Sequence, residues 1–201
     1  MAVVAEKTIE FFKGEKVLLS GFLKHPSPYP NERVQIFIDG ANLYRFLKEE
    51  CGSAKLDFLE FARRLCNGRK LVRINYYIST VNPQRNATVA ANQQRFLNKL
   101  RNVPYVTISH RPLRYAASKS FEKGLDVLMA TDIITNALRD CYDTAILVSG
   151  DGDFAPVLDE VKRAGKQVEN AAFQSGRSDA LINTSDRFIE LDKHGLKGAI
   201  K

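Results

Sequence analysis

The sequence predicts an α/β domain, a central parallel sheet flanked by helices on both faces. Short apolar runs alternate with segments of helical period, and two of those runs end in an Asp that is followed within a few residues by glycine. Runs apolar at nearly every position suit strands buried on both sides, as in a parallel sheet.

The first run is Val34 to Ile38 (VQIFI), a strand ending at Asp39-Gly40, after which Leu43, Phe46 and Leu47 recur at helical spacing. Leu56 to Cys66 repeats the helical period, Leu71 to Ile78 reads as a strand, and Ala87 to Leu100 as a helix. Tyr105 to Ile108 is a short β-rich run. The basic stretch RPLRYAASKSFEKG after it has little periodicity and reads as a mobile loop. Leu125 to Leu138 is helical, Ala145 to Val148 (AILV) is a buried strand, Phe154 to Ala164 is a helix stopped by Gly165, and Gln167 to Phe173 is a further strand.

Residues 1–33 stand outside this alternation and read as an N-terminal extension, 34–192 as the domain, and 193–201 as a C-terminal tail. The Pro-rich HPSPYPN is extended rather than helical. The apolar pieces IEFF and VLLSGFL suit packing on the core or on a second subunit.

At 201 residues and 44% hydrophobic content the chain can bury one good core. Thirty Lys and Arg against 23 Asp and Glu give a formal charge of +7, which favours polyanionic partners and equally fits an ordinary basic surface. No stretch approaches the apolar run needed to span a bilayer and the first residues hold no secretory pattern, so a cytoplasmic protein is expected. Cys51, Cys66 and Cys141 are widely spaced and odd in number, which fits reduced thiols better than a disulfide frame or zinc site.

Open α/β sheets bind ligands beyond the carboxyl ends of their strands. IFIDGAN puts Asp39 at one strand tip with Asn42 in the next helix's opening turn, and ILVSGDGDF puts Asp151 and Asp153 after another. The glycines there read as permitting sharp turns. Asp126 lies in the first turn of KGLDVLMATDIITNAL. At about 100° per residue, Asp132 falls about 120° around that helix from Asp126, which makes it a supporting residue. Clustered carboxylates repel unless cations neutralise them, and hard oxygen donors suit Mg²⁺ or Mn²⁺. Each motif alone has a plainer reading, as a turn or a helix cap; together they place acids on one rim of the sheet.

FIDGANLY, KGLDVLMATDI and AILVSGDGDFAPVLDEVKRAGKQVE, in that order across about Val34 to Phe173, resemble the NYN domain family, specifically its LabA-like bacterial branch in the PIN-like nuclease superfamily. The resemblance implies a PIN-like fold whose acidic pocket binds Mg²⁺ or Mn²⁺ and cleaves RNA, leaving a 5′-phosphate. By position it implies that Asp39, Asp126, Asp151 and Asp153 hold metal, that Asn42 is their polar partner, and that Ser149 and Gly150 belong to the loop shaping the pocket. Leu125 stands where family members often carry valine. PIN-like relatives often dimerise, and a homodimer suits the apolar N-terminal pieces.

Arg111, Arg114, Lys119 and Lys123 crowd the connection into the Asp126 helix and are candidate contacts to RNA phosphates; Tyr115 and Phe121 are candidates to stack on bases. Arg73, Arg85, Arg95 and Arg101 are weaker candidates. No GK[ST] follows the glycines, which excludes a P-loop, and Ala41 stands where an aspartyl phosphatase wants its second acid. His25, His110 and His194 have no metal spacing. The expected activity is an endoribonuclease, with single-stranded DNA as the competing substrate. The alternatives are a nucleic-acid-binding module that turns over slowly or not at all, and a structural protein whose aspartates merely cap turns.

Overall fold

A computed structural model describes residues 19–20, 27–116, 119–121 and 124–200. The strands are β1 (Leu19–Ser20), β2 (Arg33–Asp39), β3 (Lys70–Thr80), β4 (Val106–Pro112), β5 (Arg114–Ala116), β6 (Lys119–Phe121), β7 (Thr144–Val148), β8 (Gln167–Phe173) and β9 (Arg187–Leu191). The helices are α1 (Gly40–Cys51), α2 (Phe58–Cys66), α3 (Ala87–Arg101), α4 (Leu125–Leu138), α5 (Ala155–Arg163) and α6 (Asp179–Thr184).

The main sheet runs β1-β9-β8-β7-β2-β3-β4, and every pairing in it is parallel. From β2 the chain builds outward through β3 and β4, then returns to lay β7 on the other side of β2 and continues through β8 and β9. The junction of β2 and β7 is therefore the topological switch point, where the loops above the strand ends diverge and leave a crevice.

Alternation along each strand divides the core into two layers. Ile36, Ile38, Ile74, Tyr76, Ile146 and Val148 face α1 and α2, whose Leu43, Phe46, Phe61 and Leu65 are buried against them. Phe37, Tyr77, Ala145, Leu147 and Val168 face Met129 and Ile133 of α4, Leu158 and Val161 of α5, and Leu181 of α6. Burying an aliphatic side chain of this size contributes about 1.5–3 kcal/mol. Five consecutive buried residues in β2 follow from having helices on both faces.

Under the opposite, amino-terminal end of the strands lies a buried ionic cluster. The Arg69 guanidinium donates to both oxygens of Glu169 at 2.9 and 2.8 Å and Arg187 donates to Glu169 at 3.0 Å. Thr144 donates to Glu32, which also faces Arg69.

The expected elements are present with modest boundary shifts. Leu125–Leu138 and Gln167–Phe173 have the expected limits, and the run at Tyr105 to Ile108 lies mostly within a longer strand, β4. The stretch read as a mobile loop carries strands instead: β4 runs on through Pro112, and β5 and β6 pair as an antiparallel ribbon, with Tyr115 opposite Ser120. A two-stranded ribbon leaves little apolar periodicity to read. The sequence pattern does not mark α6 or β9. In the segment read as a tail, Leu196 and Ala199 are fully buried, and Arg64 donates to the carbonyls of Gly195 and Lys197. The apolar pieces of residues 1–18 and 21–26 lie outside the described residues.

The three cysteines are free thiols, with Cys66 buried and Cys51 and Cys141 partly so. Burial pushes the Cys66 thiol up to about 12, which makes it unreactive. Among the described residues no helix is long and apolar enough to cross a membrane.

Candidate active site

Asp39 ends β2 and caps α1. Its Oδ1 accepts the backbone N–H groups of Ala41 and Asn42, both at 3.1 Å, satisfying donors that a helix start leaves free. Its Oδ2 accepts the Ser149 hydroxyl at 3.2 Å, across the switch point from the end of β7. Ser149 Oγ in turn accepts the N–H of Asp151 at 3.1 Å, and Asp151 Oδ1 accepts that of Asp153 at 3.0 Å. The Asn42 carbonyl oxygen accepts the Gly150 N–H at 3.2 Å. Asp39, Asn42, Ser149, Gly150, Asp151 and Asp153 are thus joined into one network bridging the two strand ends.

Asp126, in the first turn of α4, meets this network through charge. Burial first, and then the charges of Asp151 and Asp153, raise its carboxyl above the ordinary value. Burial likewise raises Asp39, with the Asp126 charge adding to it and the bonds from Asn42, Ser149 and Ala41 opposing it. Among the described residues none of the four acids forms a salt bridge with a Lys or Arg, so no described cation offsets their mutual repulsion. Carboxylates in that state are oxygen donors of the kind a divalent cation neutralises. Among the described residues, no three His, Cys, Asp or Glu side chains already converge as a coordination shell.

The glycines at the site serve a purpose other than the sharp turns expected of them. Gly40, Gly150 and Gly152 have no left-handed backbone; what they lack room for is a side chain. A Cβ on Gly150 would overlap the Gly176 carbonyl, one on Gly152 would come within 2.8 Å of Ser178 Oγ, and one on Gly40 within 2.6 Å of Tyr76. The segment from Gln174 to Ser178, which leads from β8 into α6, is therefore seated directly on the loop carrying Asp151 and Asp153.

Asp132 has no hydrogen bond to this network among the described residues. Tyr77 donates to its Oδ2 at 2.9 Å, pinning α4 to β3. Arg111 is exposed at the end of β4, on the same rim as the acids but two strands from Asp39. Arg114 and Lys119 lie in β5 and β6, their side chains outside the described residues together with those of Tyr115 and Phe121; Lys123 is outside them altogether. Sequence reasoning missed Asn170. Fully buried in β8, it donates to the carbonyls of Leu147 at 3.2 Å and Ser149 at 2.9 Å, holding the end of β7 where the acidic loop begins. An amide in the middle of the strand QVENAAF, rather than at its start like Gln167, was its signal. Gly176 gave none, because its partner is distant in sequence.

A parallel sheet flanked by helices on both faces, with the order seen here, is a PIN-like α/β fold. The chain belongs to the NYN domain family, whose model matches residues 33–192. That family is part of the PIN-like nuclease superfamily, whose members typically use divalent metals. Among solved structures the chain is similar to a protein of unknown function, VPA0982 from Vibrio parahaemolyticus RIMD 2210633, with a TM-score of 0.65 and 26% identity over 83% of this chain and 96% of that one. A Plasmodium falciparum nicotinic acid mononucleotide adenylyltransferase complexed with APC aligns with a TM-score of 0.34 and 12% identity over 81% of this chain and 75% of that one, a likeness too loose to bear on function. No curated protein matches the chain.

Proposed function

We propose that the protein is a metal-dependent ribonuclease of the LabA-like branch, acting on RNA in the cytoplasm through Asp39, Asp126, Asp151 and Asp153. The observation that carries this reading is the gathering of Asp39, Asp126, Asp151 and Asp153 at the switch point, where Asp39 and Asp126 are raised first by burial and then by acidic neighbours, with no described cation paired to them. Mg²⁺ or Mn²⁺ fits such a donor set, since Mg²⁺ is commonly held by one or two carboxylates with water and substrate phosphate completing its shell. When bound, a divalent ion polarises a phosphodiester and lowers the pKa of water, so no protein nucleophile is required.

The chain's own residues prepare that chemistry. Ser149 and the α1 backbone fix the Asp39 carboxylate, Asn42 holds the Gly150 loop against α1, and Asp151 orders the turn that carries Asp153. Arg111, Arg114, Lys119 and Lys123 supply positive charge on the connection from β4 to α4, suited to RNA phosphates.

One observation favours a second reading, a nucleic-acid-binding module with little or no turnover: the acids do not stand as a preformed coordination shell. Incubating wild type and Asp39→Asn with labelled RNA and single-stranded DNA, in Mg²⁺, Mn²⁺ or EDTA, separates the two. We expect cutting of RNA that requires metal and falls about 10²–10³-fold in the variant, as for loss of one preorganised electrostatic group. RNA binding without cutting in either protein would transfer the assignment to the binding module.

A further inference from the structure

Arg177 lies on the segment that packs on the acidic loop, its backbone N 3.7 Å from where a Cβ on Gly150 would stand, and the family motifs do not mark it. The segment carrying it is held in place: the Gly176 carbonyl leaves no room for a Cβ on Gly150, and a Cβ on Gly176 would overlap the Phe46 ring. Ser178 packs on Gly152 on the other side. Arg177 therefore stands between two residues that abut the glycines flanking Asp151. Its guanidinium makes no salt bridge among the described residues; it donates to the neutral Gln174 Oε1 at 2.8 Å. A half-buried guanidinium with one neutral partner keeps most of its five donors for another acceptor.

Its place along the rim indicates which acceptor. The order of strand ends is β4, β3, β2, β7, β8. Arg111 lies at the end of β4, Asp39 at that of β2, the Asp151 loop after β7, and the Arg177 segment after β8. At about 4.8 Å per strand, the four steps from β4 to β8 span about 19 Å, a path for several nucleotides with the acids near its middle. Guanidinium groups bind phosphate oxygens bidentately.

We propose that Arg177 binds a backbone phosphate of single-stranded RNA on the β8 side of the acidic crevice, across it from Arg111. This deepens the ribonuclease reading and rests on it for the choice of RNA. It is tested by measuring the affinity of a short fluorescent single-stranded RNA for wild type, Arg177→Gln and Arg177→Lys in EDTA, over a series of KCl concentrations. Thermal unfolding and RNA cutting in Mg²⁺ or Mn²⁺ are followed in parallel.

The expected result is an about tenfold weaker complex for Arg177→Gln at low salt. The slope of log affinity against log salt should shrink by about 0.7, the value for one phosphate contact on a single strand. Arg177→Lys should recover most of the slope, and both variants should unfold at the wild-type temperature. In cutting, Arg177→Gln should raise KM more than it lowers kcat. Equal affinity and slope in wild type and Arg177→Gln would overturn the inference and leave the ribonuclease standing. A loss of affinity in Arg177→Gln without any cutting by wild type would keep Arg177 as a phosphate contact and remove the hydrolysis. Absence of RNA binding by wild type would remove both.

Discussion

The Tyr77 hydroxyl donates to Asp132 at 2.9 Å, and this contact separates the roles of two acids on one helix. Asp132 binds α4 to the sheet, whereas Asp126, about 120° around the helix, has its carboxyl raised by burial and by Asp151 and Asp153. Asp126→Asn should lower cutting about 10²–10³-fold. Asp132→Asn keeps an acceptor for Tyr77 and should retain activity within about threefold, because the lost net worth of a hydrogen bond to a charged group is small when a neutral acceptor replaces it. Parallel cleavage assays decide this; equal losses in both variants would put Asp132 in the site itself.

The raised carboxyls give a pH dependence of definite sign. Asp39 and Asp126 sit above the ordinary carboxylate value of 3.8, so the folded state binds protons there more tightly than the unfolded state does. Their protonated forms support folding below that value, and this support is lost as pH rises through the raised folded values. Near neutral pH without metal, Asp126→Asn should therefore unfold at a higher temperature than wild type, with the difference vanishing below the ordinary carboxylate range. Mg²⁺ or Mn²⁺ should stabilise wild type at neutral pH and the variant much less. Thermal melts across pH with EDTA or metal measure both effects.

Gly150→Ala tests the seating of the segment carrying Arg177. A Cβ there would overlap the Gly176 carbonyl, which is backbone and cannot rotate away. Forcing such a group into packed surroundings costs about 1–3 kcal/mol, visible in urea unfolding. Cutting by the folded protein should fall as well, since Gly150 lies between Ser149 and Asp151. Wild-type stability in this variant would show that the loop has freedom the packing denies it.

At the other end of the sheet, Arg69→Met strands Glu169 with Arg187 as its only remaining ion-pair partner among the described residues. Removing one side of a buried pair costs about 3–5 kcal/mol, here toward the lower figure because Arg187 stays. Adding Glu169→Leu should recover part of the loss. Chemical denaturation of the single and double variants measures the coupling, and metal-dependent cutting by the folded fraction should be unchanged in both.

The two strand-end motifs were legible because each is local. IFIDGAN places an apolar strand, an acid and a helix start within seven residues, and Asp39 does cap α1. Helix α4 and strand β8 were likewise readable from the periodicity of their own residues. The ribbon of β5 and β6 was not, because a short antiparallel pair buries too little to impose a pattern. The glycines of the acidic loop were read correctly as special and for the wrong reason. Their requirement comes from Gly176 and Ser178, more than twenty residues away, rather than from their own torsions.

By itself, then, the sequence determined the α/β class, the order of its main elements and the identity of the acids, since hydrophobic period and turn chemistry act between neighbours along the chain. Only the tertiary structure decided which acids meet and which pair elsewhere. Placing β7 beside β2 brings Ser149 to Asp39, packing α4 on β3 gives Asp132 to Tyr77, and laying the segment after β8 on Gly150 brings the backbone of Gly176 and Arg177 beside the acidic loop. Those contacts join residues from distant parts of the chain, and nothing in the local sequence encodes the sheet order that creates them.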